Sequence, residues 1–125
     1  MKIEFLENGS DDCPLIRIYG YKHDVCLRIK RVFEQLAQGV TRELSLSDLK
    51  GVESVDGCRF IAKAGKRDRG VLHDERNVFE WVLTPSTWDN VAGLIEPFCI
   101  PGKGGYQWLH QTGDIGVLIS PTGCW

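Results

Sequence analysis

No apolar run in this sequence approaches the roughly 18 residues that a membrane-spanning helix requires, and the longest, such as Val117-Leu118-Ile119, have strand length. A membrane partner is therefore not expected. The stretch from Met1 to Asn8 sets Glu4 and Glu7 among its apolar residues and lacks a small-residue cleavage site, so it does not read as a secretory signal. Charge of one sign is missing as well. With 15 Lys+Arg against 17 Asp+Glu the formal net charge is -2, and no chain-wide field draws nucleic acid or an anionic surface. Paired cysteine motifs are absent, because Cys13, Cys26, Cys58, Cys99 and Cys124 are odd in number and separated by wide, irregular gaps. That pattern argues against a disulfide framework and against zinc knuckles, and predicts reduced thiols that act mainly as small hydrophobes in a cytoplasmic protein. Internal repeats, linkers and low-complexity tracts are also lacking.

What is present is enough to fold. The chain has 125 residues, 42% of them hydrophobic and 26% charged, which fits one α+β domain over residues 1–125 with a core that needs neither disulfides nor a metal. Two short runs, Lys2 to Leu6 and Leu15 to Tyr21, flank the turn-forming Asn8-Gly9-Ser10-Asp11-Asp12 and read as a strand pair. In the second run Ile16 and Ile18 share one face, and Leu15, Arg17, Tyr19 and Tyr21 the other. Asp24 is placed to cap a helix carrying Val25, Ile29, Val32, Phe33 and Leu36 at spacings of three and four. Gly39 then supplies a left-handed ending, with Val40 folding back onto the last turn.

From Val40 to Leu83 the pattern is strand-like throughout. Alternation over residues 40–46 is followed by a loop at Ser47–Gly51 and by Asp56-Gly57, a type I′ hairpin signal between Val55 and Cys58. Phe60, Ala62 and Ala64 alternate up to a charged hairpin tip at Gly65–Gly70, and Phe79, Trp81 and Leu83 alternate after the turn at Asp74–Asn77. Thr84 with Pro85, or Ser86 with Asp89, starts a second helix whose stripe is Trp88, Val91, Ala92, Ile95 and Phe98 and which Pro97 ends. After the loop Pro101-Gly102-Lys103-Gly104-Gly105 come two further strand-like runs, Tyr106–Gln111 and Ile115–Ser120. The expected fold is α+β, a predominantly antiparallel sheet of about six to eight short strands with two amphipathic helices.

No strong catalytic or cofactor motif appears, and neither a cofactor nor a metal is expected. The glycine loop lacks the Gly-Lys-Ser/Thr that opens a helix in a phosphate-binding loop. His73, Asp74 and Glu75, and His110 with Asp114, are metal-type side chains without paired spacing. Cys99 with His110 and Asp114 is the best thiol-nucleophile arrangement, yet Cys99 follows a helix C-terminus, where the dipole disfavours a thiolate. Lys63, Lys66, Arg67 and Arg69 form a basic patch without interleaved aromatics, so a nucleic-acid partner is disfavoured. Aromatics concentrate beyond residue 80. A binding surface is expected from Trp88, Lys103, Gly104, Gly105, Tyr106, Trp108 and Trp125, meeting a protein partner or a second copy of the chain. The preferred function is thus a non-enzymatic protein-binding or accessory module, a general look shared with immunity proteins. The alternative is a small-molecule binder or thiol enzyme using residues 101–105, Cys99 and His110.

Overall fold

The computed structural model describes residues 1–20 and 22–125. Strands β1 (Lys2–Leu6) and β2 (Leu15–Tyr19) form the expected antiparallel pair, with Ile3 opposite Ile18 and Phe5 opposite Ile16. Alternation turns Ile3, Ile16 and Ile18 to one face, where all are fully buried. Tyr21, which the alternation assigns to the opposite face, lies outside the described residues.

Helix α1 (His23–Gln38) buries the predicted stripe of Val25, Ile29, Val32, Phe33 and Leu36, with Cys26 beside it. Its start differs from expectation. Lys22 flanks the first turn and no side chain caps it, so Asp24 sits inside the helix, opposite Arg28 at 3.6 Å, where its charge still favours the positive end of the dipole. At the other end Gly39 adopts φ 75°, its N–H donates to Leu36 O, and the Val40 N–H donates to Gln35 O. These are the two bonds of a Schellman ending. The Val40 side chain, however, is 69% exposed, so the apolar fold-back does not form.

Seven strands and one helix follow: β3 (Glu43–Ser45), β4 (Glu53–Ser54), β5 (Arg59–Ala64), β6 (Gly70–Glu75), β7 (Val78–Leu83), α2 (Pro85–Ile95), β8 (Gln107–His110) and β9 (Gly116–Ser120). Among the described residues they build two sheets, ordered β4-β1-β2-β9-β8 and β3-β5-β7-β6. The α+β class stands, but the sheets are mixed and not predominantly antiparallel. β1 runs parallel to β4, β2 to β9, and β5 to β7.

Two connections account for the difference. Asp56 and Gly57 take the left-handed φ values of 56° and 70° that a type I′ turn requires, but the strands they join belong to different sheets. The turn is a corner, not a hairpin. The loop Gly65–Arg69 likewise makes no hairpin tip, because β7 is inserted between β5 and β6. Bridging two strand spacings takes about 10 Å, well within reach of a loop of this length. The Gly65 N–H donates to Leu83 O and the Arg69 N–H to Val82 O as the loop crosses the end of β7. Asp68, within this loop, accepts from the Thr84 N–H and the Thr87 hydroxyl, both at 2.8 Å, and ties the crossing to the start of α2. Thr84 itself caps that helix, ahead of Pro85.

The inner faces of the two sheets and the apolar stripes of α1 and α2 share one core. Its centre is aromatic: Phe60 stacks on Trp81 at 5.5 Å, Trp81 meets Trp88 edge-on at 4.7 Å, and Phe33 touches both indoles. Trp88 is fully buried, and its Nε1 donates to Lys63 O at 2.9 Å. It is a core residue, which removes it from the expected binding surface.

Candidate functional site

The remaining aromatics of the expected surface follow from the alternation of the five-stranded sheet. Trp108 on β8 lies directly opposite Leu118 on β9, which lies beside Arg17 on β2, so all three project to the sheet's outer face. Leu15 and Leu118 are apolar where outward positions are usually polar, and both are fully buried. Something must cover them. The Trp108 ring lies over Gly116, where a Cβ would stand 2.7 Å from it. The chain after β9 then doubles back across the same face. Arg17 donates to Gly123 O at 2.8 Å, Ser120 Oγ donates to Cys124 O at 2.7 Å, and Trp125 Nε1 donates to Asp12 Oδ2 at 2.9 Å. Arg17 also pairs with Glu4 and lies over the Tyr19 ring at 4.1 Å.

This strap leaves aromatic surface in solvent. Tyr106 is 50% and Trp125 36% exposed, and Ile100, at the start of the glycine loop, is 61% exposed. Within that loop Lys103 sits 5.6 Å from the Phe98 ring centroid, and a Cβ on Gly104 or Gly105 would meet nothing within 4 Å. The loop is open. Of the expected surface, Trp108 and Trp125 lie at the outer face, Tyr106 stands exposed just before β8, and Lys103, Gly104 and Gly105 lead into that strand. The signal that could have revealed the strap was Leu15, an apolar residue on the wrong side of an otherwise alternating strand.

The thiol arrangement is not assembled. The Cys99 thiol donates to Ile95 O, and burial raises its pKa, which disfavours a nucleophilic thiolate. His110 sits elsewhere, at the seam between the sheets, with Gly70 so close that a Cβ there would stand 2.8 Å from Nε2. Burial lowers the His110 pKa, against a hydrogen bond with the Thr112 backbone and the charge of Asp68. Its Nε2 and the Nε1 of Trp81, whose ring is 6.2 Å away, are buried without a protein partner. The cleft of about 220 Å³ that His110 lines is completed by Asp68, Arg69, Gly70, Thr112 and Gly113, and takes nothing from Cys99 or the glycine loop.

His73 and Asp114 meet in a second cleft, of about 530 Å³, with Phe5, Glu7, Arg76 and Asn77 among its walls. The His73 ring stacks on Phe79 at 4.3 Å and its Nε2 is 2.9 Å from Arg76 O, so the imidazole is committed to neighbours at its edge and face. Among the described residues no three His, Cys, Asp or Glu side chains come together as a metal-binding group. Of the basic patch, Lys63 lies on β5 and pairs with Glu80 at 2.9 Å, while Lys66, Arg67 and Arg69 stay in the loop between β5 and β6. No helix among the described residues is long and apolar enough to cross a membrane.

No family model, no curated protein and no solved structure matches this chain. What the outer face can do rests on its own chemistry: large, partly exposed rings with polar tips, of which Trp125 is held by its hydrogen bond to Asp12. Such rings offer contact area with little rotamer freedom to lose.

Proposed function

We propose that this chain is a cytoplasmic, non-enzymatic protein-binding module of accessory or regulatory type, which meets a protein partner through the outer face of the five-stranded sheet along β8. The observation that carries the reading is the strapped face itself, where Trp125 is anchored to Asp12 while part of its ring, and half of Tyr106, stay in solvent. Tyrosine and tryptophan are the residues most enriched at interface centres, and a ring already held in place loses little freedom on binding. The open loop at residues 101–105 and exposed Ile100 extend the surface beyond β8. The cytoplasmic placement draws on the spacing of the cysteines, which suits free thiols.

The test is affinity capture from the source cells with the wild type, a Tyr106→Ala/Trp125→Ala double variant and Leu27→Ala, an exposed leucine on α1. One reproducible partner, lost with the double variant but retained by Leu27→Ala at unchanged folding, is the expected result. A partner held equally by all three proteins overturns the assignment to this face. Light scattering of the purified chain separates a foreign partner from a second copy.

A further inference from the structure

Away from that face, the inward sides of the two sheets run out together in the cleft of about 530 Å³. Phe5 shares the inward side of β1 with Ile3, and His73 shares that of β6 with Val71; β1 ends at Leu6, and a bulge between His73 and Glu75 breaks the alternation of β6. Each ring is thus the last inward position of its strand. The two rings meet at 5.5 Å between the sheets, and both pack on fully buried Phe79, Phe5 at 4.5 Å and His73 at 4.3 Å. Hydrogen bonds fix the rim. The Gly116 N–H donates to Pro14 O at 3.3 Å where β2 and β9 begin, the Arg59 N–H donates to Asn77 O at 2.7 Å in the turn between β6 and β7, and His73 Nε2 lies 2.9 Å from Arg76 O in the same turn.

The charges that line this cleft are divided between the sheets. Glu7 directly follows β1 and Asp114 closely precedes β9, at one end of the five-stranded sheet, where Leu6 lies opposite Leu15 and Leu15 beside Gly116. Arg76 stands in the β6–β7 turn of the other sheet. All three side chains are exposed, and none forms an ion pair with another described residue. We propose that this cleft binds a small zwitterion with an apolar body, the chemistry of an apolar α-amino acid. Its carboxylate meets the Arg76 guanidinium, whose planar fork suits that group, and its ammonium meets Glu7 and Asp114. Its side chain lies among Phe5, Pro14 and Ile115.

Other ligand classes fit less well. An anion would face two carboxylates against one guanidinium, and a cation without a carboxylate would leave Arg76 unanswered. A metal ion is not served, since no three His, Cys, Asp or Glu side chains among the described residues come together. The volume lies within the range of about 300–1,000 Å³ typical of small-molecule sites, which likewise combine apolar walls with a few polar groups. Because the three charges stay in contact with water, each pairing adds modestly, and burial of the apolar body against Phe5 and Ile115 carries much of the affinity.

The test titrates the isotope-labelled full chain with L-phenylalanine and follows its backbone amides by NMR. Phenethylamine, which lacks the carboxylate, 3-phenylpropionate, which lacks the ammonium, and glycine, which lacks the apolar body, are titrated in parallel. L-Phenylalanine is expected to bind saturably at millimolar concentration or below and more tightly than the other three, with the shifts centred on residues 5–7, 73–77 and 114–116. Arg76→Gln should weaken L-phenylalanine roughly threefold or more and leave phenethylamine unchanged, whereas the Glu7→Gln/Asp114→Asn double variant should weaken both. Lys66→Gln, outside the cleft, should change neither. These side chains are exposed, and the amide spectrum of each variant reports its folding directly. No saturable binding of L-phenylalanine, shifts centred elsewhere such as on Tyr106 and Trp125, a probe lacking one of the three features bound as tightly, or affinities indifferent to the Arg76 and Glu7/Asp114 changes would overturn the site.

Discussion

Four tryptophans divide into two pairs with opposite fates. Trp81 and Trp88 meet inside the core with Phe33 and Phe60, fully enclosed by α1, α2 and the inner face of the four-stranded sheet. Trp108 and Trp125 lie on the outer face of the other sheet, one on an edge strand and one on a strap that crosses it. Residue type is the same in both pairs. What differs is the covering: two sheets and two helices share the core that encloses the first pair, whereas Trp108 lies over Gly116 opposite Leu118 on the outer face and Trp125 is tied to Asp12 on the strap. A ring that covers others is left partly wet, and a wet, anchored ring is the kind a partner can use.

The comparison breaks first, and most severely, at the core pair. Trp81→Ala removes a ring with aromatic neighbours on several sides and should cost about 3–5 kcal/mol, with Trp88→Ala close behind because Lys63 O also loses its donor. Denaturant unfolding checks this, and a loss below about 1 kcal/mol would place the core elsewhere. Trp108→Ala comes next, at about 2 kcal/mol, since it uncovers Gly116 and the outer leucines without opening the main core. Trp125→Ala should cost least, about 1 kcal/mol, yet remove most of the partner capture. Equal stability losses for Trp81 and Trp125 would erase the distinction between core and cover.

A smaller effect sharpens the boundary between the regions, because β8 carries Trp108 to one side and His110 to the other, against Trp81. Burial holds the folded His110 below its ordinary value of 6.5, so the unfolded chain takes up this proton first as the pH falls. The His110 contribution is therefore fully present above about 6.5 and declines as pH drops towards the lower folded value. Thermal unfolding of wild type and His110→Gln between pH 7.5 and 5 should show a gap that narrows with acid. A gap independent of pH would mean that the imidazole is not buried at the seam.

Much of the local structure was legible in the residues. The α1 stripe, the Gly39 ending, the Thr84-Pro85 start, the Pro97 stop and the alternation of Phe79, Trp81 and Leu83 all depend on neighbours a few positions away. Asp24 misled because a good capping residue was present one position inside the actual helix, where the chain entered without a side-chain cap. Asp56-Gly57 misled more instructively. The pair adopted the backbone its residues favour, but a turn's dihedral angles do not say whether the strands on either side will pair.

For the candidate surface, Tyr106, Trp108 and Trp125 were visible as late aromatics, whereas Trp88 could not be separated from them by composition. It lies on the same helical stripe as Val91, Ala92 and Ile95, and that stripe decided its burial. By itself, then, the sequence determined the helices, most strands and their inward faces, because those follow from propensities and periodicities that act over a few residues. Only the tertiary structure decided that β7 inserts between β5 and β6, that the chain after β9 returns to Arg17 and Asp12, and that Met1 and Cys26 meet in the core. Each of these joins segments far apart in the chain, and such contacts form where buried area and backbone hydrogen bonding are satisfied together, a condition of the whole fold.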